Sequence, residues 1–347
     1  MPECDSVRAF GRSLASLTSP LDINRTSSPV RQISQTATYP NERALLGCRV
    51  RQPAASLSRN QNRHDQTSCI PWPSTMLFSD LTLSRRLEHA EGYACAQHAE
   101  ARSRVIPDSR AEWIECAGAY VVFDGIDSPV TQSFGLGIFE ELNPTSLDVI
   151  ERFFRDRGAP VLHEVSPFAG VAALDMLCAR NYRPIEISNV LYRPVEQATA
   201  ERPSQISVRV IGPQQAQLWT QINARGWTYE HPELLDFLLQ LGGIIAARKD
   251  TVLFLADIDG KPGAAATLCL HDGVALFGGS ATIPELRHCG LQTALLDERI
   301  RHAFDKGCDL AMMAAEPGSK SQRNAERKGF RIAYTRTKWR LTGHPPD

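Results

Sequence analysis

The chain has 347 residues, 42% of them hydrophobic and 22% charged, and its 38 basic and 39 acidic residues leave a net charge of -1. The length predicts two domains of ordinary size, the charge balance argues against a protein built to grip nucleic-acid backbones, and no stretch approaches the roughly 18 consecutive apolar residues of a membrane-spanning helix. Nine cysteines, odd in number and without a C-x-x-C pair, fit reduced thiols in the cytoplasm better than a disulfide frame or a zinc site, and the nine histidines show no metal-ligand spacing.

Residues 1–75 are crowded with Ser, Thr, Gln, Asn, Pro and Arg, contain no Lys, and carry nine Arg against five acids. No apolar period persists there, so the segment is predicted to be disordered. Three readings of it stay open: an upstream addition to a natural start at Met76, a flexible tail, or an organelle transit peptide. After Met76 the residues Leu77, Leu81, Leu83 and Leu87 among charges predict an amphipathic helix running to about Arg104.

From about 113 to 195 strands and helices alternate. Strands are predicted at Tyr120–Phe123, Ser133–Phe139, Val161–Val165 and Ile185–Tyr192, and helices at Leu147–Arg157 and Ala169–Ala179. The same order recurs from about 206 to 341. A strand at Ile206–Ile211 precedes helices at Gln214–Asn223 and Leu234–Leu241, the second ending at Gly242-Gly243. Strands follow at Val252–Ile258, Ala264–Leu270 and Val274–Ala281, with Asp259-Gly260 and Asp272-Gly273 as hairpin turns. A helix opens directly behind Gly290, its apolar residues Leu291, Leu295, Leu296, Ile300 and Phe304 at helical spacing, and Gly307 ends it. A strand at Asp309–Ala315, a short helix at Ser319–Lys328 and a final pair of strands from Phe330 to Leu341 close the chain. The fold class is α+β, two similar units each built on a mixed sheet flanked by helices.

A loop that leaves a strand and opens a helix presents unpaired N–H groups at the positive end of the helix dipole, which suits a phosphate or pyrophosphate. Gly290 lets backbone approach a ligand, Arg287 supplies a cation and Thr293 a hydroxyl. One glycine in such a turn is equally consistent with a turn and nothing more.

The run Arg287-His288-Cys289-Gly290-Leu291-Gln292-Thr293-Ala294-Leu295-Leu296 resembles the acyl-CoA loop and helix of the GNAT superfamily of acyl-CoA-dependent N-acyltransferases, whose loop reads Q/R-x-x-G-x-G/A. The stretch from Pro317 to Phe330, ending in Gly329-Phe330, is similar to the family's next helix. The weaker half at 113–195 resembles a second, degenerate copy. The resemblance therefore implies a tandem protein: a degenerate domain at 76–200 and an acetyltransferase domain at 201–347.

It also implies acetyl-CoA as acyl donor, held by Thr282, Ile283, Arg287, His288, Cys289, Gly290, Leu291, Gln292, Thr293 and Asn324. The acceptor would be the amine of a small molecule or amino acid, in a pocket near Trp227, Tyr229 and Glu230 of a monomer or homodimer without nucleic-acid or membrane partners. Glu316, Glu230 and His231 are candidate bases, and Tyr334 is the candidate hydroxyl donor. The sequence departs from the family pattern in three places. Gln292 stands where Gly or Ala is usual, leaving an amide that could bond to a pyrophosphate. His288 and Cys289 replace a Gly and a basic residue. Ala325 replaces the frequent general-acid Tyr. In the first half Phe139-Glu140-Glu141-Leu142-Asn143-Pro144 takes the loop position, where carboxylates repel a pyrophosphate. The alternative function is a non-catalytic acyl-CoA-binding or protein-interaction module.

Overall fold

The computed structural model describes residues 78–197, 205–229 and 232–343; the predicted disordered segment, Glu230 and His231 lie outside them. Helix α1 (Leu81–Val105) opens the fold, capped by Asp80, whose carboxylate accepts from the Leu83 N–H at 2.8 Å. Strands β1 (Glu112–Cys116), β2 (Ala119–Phe123) and β3 (Gln132–Phe134) follow, then α2 (Pro144–Arg155), β4 (Leu162–Val165), α3 (Gly170–Ala179) and β5 (Tyr182–Pro194). The second half runs β6 (Ile206–Ile211), α4 (Ala216–Thr228), α5 (Leu235–Ala246), β7 (Thr251–Ile258), β8 (Lys261–His271), β9 (Val274–Thr282), α6 (Leu291–Asp305), β10 (Leu310–Ala315), α7 (Lys320–Arg327) and β11 (Arg331–Leu341).

Three expectations are corrected and one strand is added. The predicted final pair of strands is the single strand β11. The strand predicted at Ser133–Phe139 stops at Phe134, because Gly135 and Gly137 turn the chain with φ of 79° and 74°. Gly242-Gly243 does not end a helix; α5 continues to Ala246, and a Cβ at Gly242 would stand 2.7 Å from Thr220 on α4, so the glycine lets the two helices touch. Strand β1 was not predicted; it joins β2 through Ala117-Gly118, both at positive φ.

All eleven strands form one sheet in the order β1-β2-β3-β4-β11-β5-β10-β9-β8-β7-β6. Only β3–β4 and β9–β10 are parallel. Strand β11 comes last in the chain yet sits between β4 and β5, and β5 in turn pairs with β10. Each half thus lends its last strand to the other.

Alternation along β7 shows how the faces are covered. Phe254 and Ala256 pack toward α6, while Leu253 and Leu255 pack toward α4 and α5 around the fully buried Trp219. Helix α1 covers the middle of the sheet through Leu83, Leu87, Ala90 and Ala94, and α2 and α3 cover the first half through Leu147, Ile150, Phe154 and Leu177.

The exchanged strand is held by charge as well as by its ladder. Arg336 on β11 is fully buried; its guanidinium donates to Glu91 at 2.7 and 2.8 Å and to Glu88 at 3.2 Å, both on α1, and meets Glu164 of β4 at 3.2 Å. Lys338, two residues on, lies 3.3 Å from both Glu164 and Glu186. Burial pushes the Glu88 carboxyl above its ordinary range. Removing the one guanidinium that three buried carboxylates share should therefore cost far more than neutralising Glu88: we expect about 3–5 kcal/mol for Arg336→Met and under about 1.5 kcal/mol for Glu88→Gln, read from urea unfolding at pH 7.5.

His163 of β4 bonds to the Ser133 hydroxyl at 2.7 Å and is buried, which holds its imidazole at about 3, below the ordinary 6.5. The folded chain stays neutral there while the unfolded chain takes up a proton below pH 6.5, so this contribution to stability is complete above pH 6.5 and lost as the pH falls. The destabilisation caused by His163→Gln should shrink by about 2 kcal/mol between pH 8 and pH 5; an unchanged difference between the two denaturation midpoints would contradict it.

Candidate functional site

Strands β9 and β10 lie parallel, but their pairing covers only Val274–Leu310, Ala275–Ala311 and Leu276–Met312. Beyond these pairs a cleft of about 430 Å³ is lined by Phe277, Ser280 and Thr282 of β9, Met313 of β10, and residues of the 286–293 turn and of α4, α6 and α7.

A bulge shapes the β9 wall. Thr267 of β8 pairs with Gly278 and Ala265 with Ala281, so Ala266 alone faces Gly279 and Ser280. Gly279 has φ +53°, and a Cβ there would press on Thr267 at 3.2 Å. The carbonyls that the bulge turns out of the ladder are met by side chains. Asn223 of α4 donates to the Gly279 carbonyl at 2.6 Å. Arg299 of α6 donates to the Thr267 and Gly278 carbonyls at 3.1 and 3.4 Å and to the Ser280 hydroxyl at 3.2 Å.

Arg299 is buried, and its charge has no carboxylate within ion-pair distance among the described residues. Its guanidinium stands over the Phe277 ring, 4.7 Å from the centroid. Burial lowers its pKa to about 9, so it is a cation at neutral pH, solvated by neutral acceptors.

Helix α6 begins at the cleft. Gly290 is its N-cap with φ 87°, and no side chain caps the first turn. The amides there lack both an intrahelical acceptor and a side-chain one. Arg287 lies beside them, fixed by a 3.0 Å bond to the Gly226 carbonyl and placed over the Tyr229 ring at 5.3 Å. Gly226 lets α4 lie close on β9: a Cβ would stand 2.7 Å from Ala281 and 3.0 Å from the Thr282 nitrogen. Among the described residues the ionisable side chains on the cleft wall are Arg287, His288, Arg299, Lys320 and Arg327, with no Asp or Glu.

Of the residues assigned to a cofactor from sequence, Thr282, Arg287, His288, Gly290, Leu291, Gln292, Thr293 and Asn324 line the cleft. Ile283 and Cys289 do not: Ile283 is buried in the core under α4 and α5, and Cys289 is exposed with its thiol toward the Arg287 carbonyl. The Gln292 amide, expected to be open to a ligand, is engaged at both ends. Its Nε2 donates to the Thr282 hydroxyl at 2.7 Å, and its Oε1 accepts from Ser280 at 2.9 Å.

Among the residues assigned to proton transfer, Glu316 is exposed at the end of β10 and is not a lining residue, and Glu230 is outside the described residues. Tyr334 is remote from the cleft wall: its hydroxyl donates to Glu88 at 2.8 Å inside the buried network of β11, and burial with the Glu88 charge pushes its pKa up. Trp227 lines the cleft.

Sequence reasoning missed Arg299, Asn223, Ser280, Lys320 and Arg327. One signal pointed to Ser280: Gly278-Gly279-Ser280 inside a strand marks a bulge.

Residues 207–315 match the acetyltransferase (GNAT) domain family. No curated protein matches the chain. Among solved structures, a GCN5-related N-acetyltransferase from Kribbella flavida aligns over 72% of this chain and 96% of its own, with 17% identity and a TM-score of 0.51. A GCN5-related N-acetyltransferase from Sphaerobacter thermophilus covers 74% of this chain and 94% of its own at 16% identity and a TM-score of 0.43. A tandem GNAT protein from the clavulanic acid biosynthesis pathway covers 78% and 98% at 13% identity and a TM-score of 0.46. The fold is the GNAT-like α+β arrangement, a mixed sheet flanked by helices. No helix among the described residues is long and apolar enough to cross a membrane.

The bulge carbonyls depend on Arg299, so Arg299→Met, which keeps the bulk and removes the donors, should destabilise the protein by about 3 kcal/mol or more in urea. Gln292→Ala, whose partners can turn to solvent in the cleft, should cost under about 1.5 kcal/mol.

Proposed function

We propose that the chain is an acyl-CoA-dependent N-acyltransferase that uses acetyl-CoA and acylates the amine of a small molecule or amino acid by direct attack. The observation that carries the proposal is the cleft between β9 and β10, whose ionisable lining among the described residues is basic and which ends on a helix N-terminus without a side-chain cap. A pyrophosphate placed at the first turn of α6 would take the free amides and the helix dipole, with Arg287 beside it. Lys320, Asn324 and Arg327 on α7 would face the rest of the nucleotide.

On this reading the pantetheine arm runs along the separated edge of β9 and pairs with it as an added strand would. The thioester then reaches the bulge at Gly278–Ser280. The nitrogen of a neutral amine attacks the thioester carbonyl, a tetrahedral oxyanion forms, and its collapse releases the CoA thiolate while the nitrogen loses a proton. Preorganised donors on the strand and the unneutralised charge of Arg299 both favour the negative charge that develops. Among the described residues no carboxylate lines the cleft, so our candidate bases remain Glu230 and His231, which follow the cleft residue Trp227 in sequence, and Glu316, just past the end of β10, acting through water.

In this proposal residues 201–347 are the active copy and 76–200 a degenerate, structural one. The two corresponding helix starts differ as that assignment requires. At α2 the first turn is closed by a capping box between Asn143 and Ser146, next to Glu140 and Glu141, whereas the first turn of α6 has no side-chain cap. A second reading, a non-catalytic acyl-CoA-binding module, is favoured by Gln292 lying across the β9 edge and by Ala325, which lines the cleft without a hydroxyl.

Acetyl-CoA at about 100 times its Kd should stabilise the full chain by about 2.7 kcal/mol, seen as a rise in Tm, and Arg287→Glu should weaken binding about tenfold or more. Release of free CoA with one member of an amine panel supports the enzyme; binding without release for every amine supports the second reading, and no Tm shift with a folded protein overturns both.

A further inference from the structure

On the sheet face covered by α1, well separated in sequence from the cleft loop, three donor groups meet. They are His89 of α1, His271 at the end of β8, and Asp272 in the turn to β9, with their ligand atoms all within 4.8 Å of one another. The Asp272 carboxylate is shared: its Oδ2 lies 3.4 Å from His271 Nε2 and 3.9 Å from His89 Nδ1. Around a tetrahedral zinc-class ion, with donors about 2.0–2.2 Å from the metal, neighbouring donors stand about 3.3 Å apart. Side-chain rotations that draw the donors in from their present separations, all within 4.8 Å, would close the set.

The surroundings orient the imidazoles. His89 Nε2 is 3.2 Å from the Tyr120 hydroxyl on β2. With Nε2 engaged there, Nδ1 is the ring nitrogen left facing the Asp272 carboxylate, 3.9 Å away. A ligating histidine characteristically has its other ring nitrogen fixed in this way. His271 Nε2 is a buried atom with no hydrogen-bond partner, and its ring is stacked on Tyr93, centroids 3.6 Å apart and planes 8° from parallel. The two imidazoles lie 5.0 Å apart, centroid to centroid. The nearby cation Arg86 is occupied by Asp309, to which it donates two hydrogen bonds at 2.5 and 2.8 Å.

The geometry points to a site for a divalent transition metal of the zinc class, with His89 Nδ1, His271 Nε2 and the Asp272 carboxylate as protein ligands and a fourth, water-held position on the exposed side of Asp272. Two imidazoles and a single carboxylate select such an ion over calcium or magnesium, which favour all-oxygen shells. The metal would tie α1 to the β8–β9 hairpin two residues before β9 begins.

The test is zinc binding to the full chain stripped with chelator, followed by competition with a chromophoric chelator, by the absorption spectrum of the cobalt(II) form, and by Tm with and without zinc. The control variant is Asp272→Asn, since Asp272 is exposed at φ 45°, a conformation Asn tolerates well. We expect one equivalent bound at about micromolar Kd or tighter, a tetrahedral cobalt spectrum and a rise in Tm, with affinity about tenfold or more lower in Asp272→Asn and in His89→Gln. No zinc retained by the wild type, or zinc retained with equal affinity by Asp272→Asn and by the double variant His89→Gln/His271→Gln, overturns the assignment.

Discussion

Parallel strands that part company leave two edges whose N–H and C=O groups have lost their partners, and every feature of the candidate site answers that problem. Strands β9 and β10 separate after three residue pairs. On β9 the bulge at Gly279 disturbs the ladder to β8 at the same level. Backbone carbonyls left unpaired in the interior would cost more than the fold can spare. Arg299 and Asn223 reach in from helices on opposite faces of the sheet and satisfy them. The bulge carbonyls are thereby satisfied before any ligand arrives, and Gln292 crosses the strand through Ser280 and Thr282.

The same sheet explains why the two halves are interdependent. With β11 inserted between β4 and β5, neither half has a complete sheet of its own, and the central pair β11–β5 is the most extensive in the protein. A strand crossing into another unit needs its register specified, since a slip of one residue turns every side chain to the other face. Arg336 and Lys338 on β11 provide that specification. They are two residues apart, share a face, and find their carboxylates on α1, β4 and β5. A one-residue slip would leave five buried charges without partners.

The local order of elements was legible in the sequence because it depends on local chemistry. Leu291, Leu295, Leu296 and Ile300 declare α6 by spacing alone, and Gly290 marks its start. The place of β11 was not legible, because strand pairing across the length of the chain leaves no mark in any window of the sequence. Tyr334 shows the consequence. The register shift between Ile332 and Tyr334 decides which face the phenol takes, and it takes the face of Glu88. Arg299 was hidden for another reason: periodicity reads an Arg as surface, whereas here its stem follows the apolar stripe and its head serves backbone carbonyls. Conversely, Leu291, Gln292 and Thr293 were placed at the cleft because the loop-to-helix junction positions them whatever the rest of the chain does.

Charge gives the last step. The chain as a whole is balanced, 38 basic residues against 39 acidic, and that sum argues against a general affinity for polyanions. A cleft responds to arrangement rather than to the sum, since low-dielectric walls focus the field of the groups that line it. Here described acids are engaged elsewhere, on the α1–β11 network and on exposed pairs such as Arg225 with Glu285, while among the described residues the cleft lining holds five basic side chains and no carboxylate. Arg299 matters most in this respect. Held by carbonyls and a hydroxyl instead of an acid, its charge is solvated by dipoles and not neutralised by a counter-ion. A nearly neutral protein thus gathers basic side chains along one cleft, and what distinguishes Arg287 and Arg299 there is that their hydrogen-bond partners are neutral carbonyls and a hydroxyl.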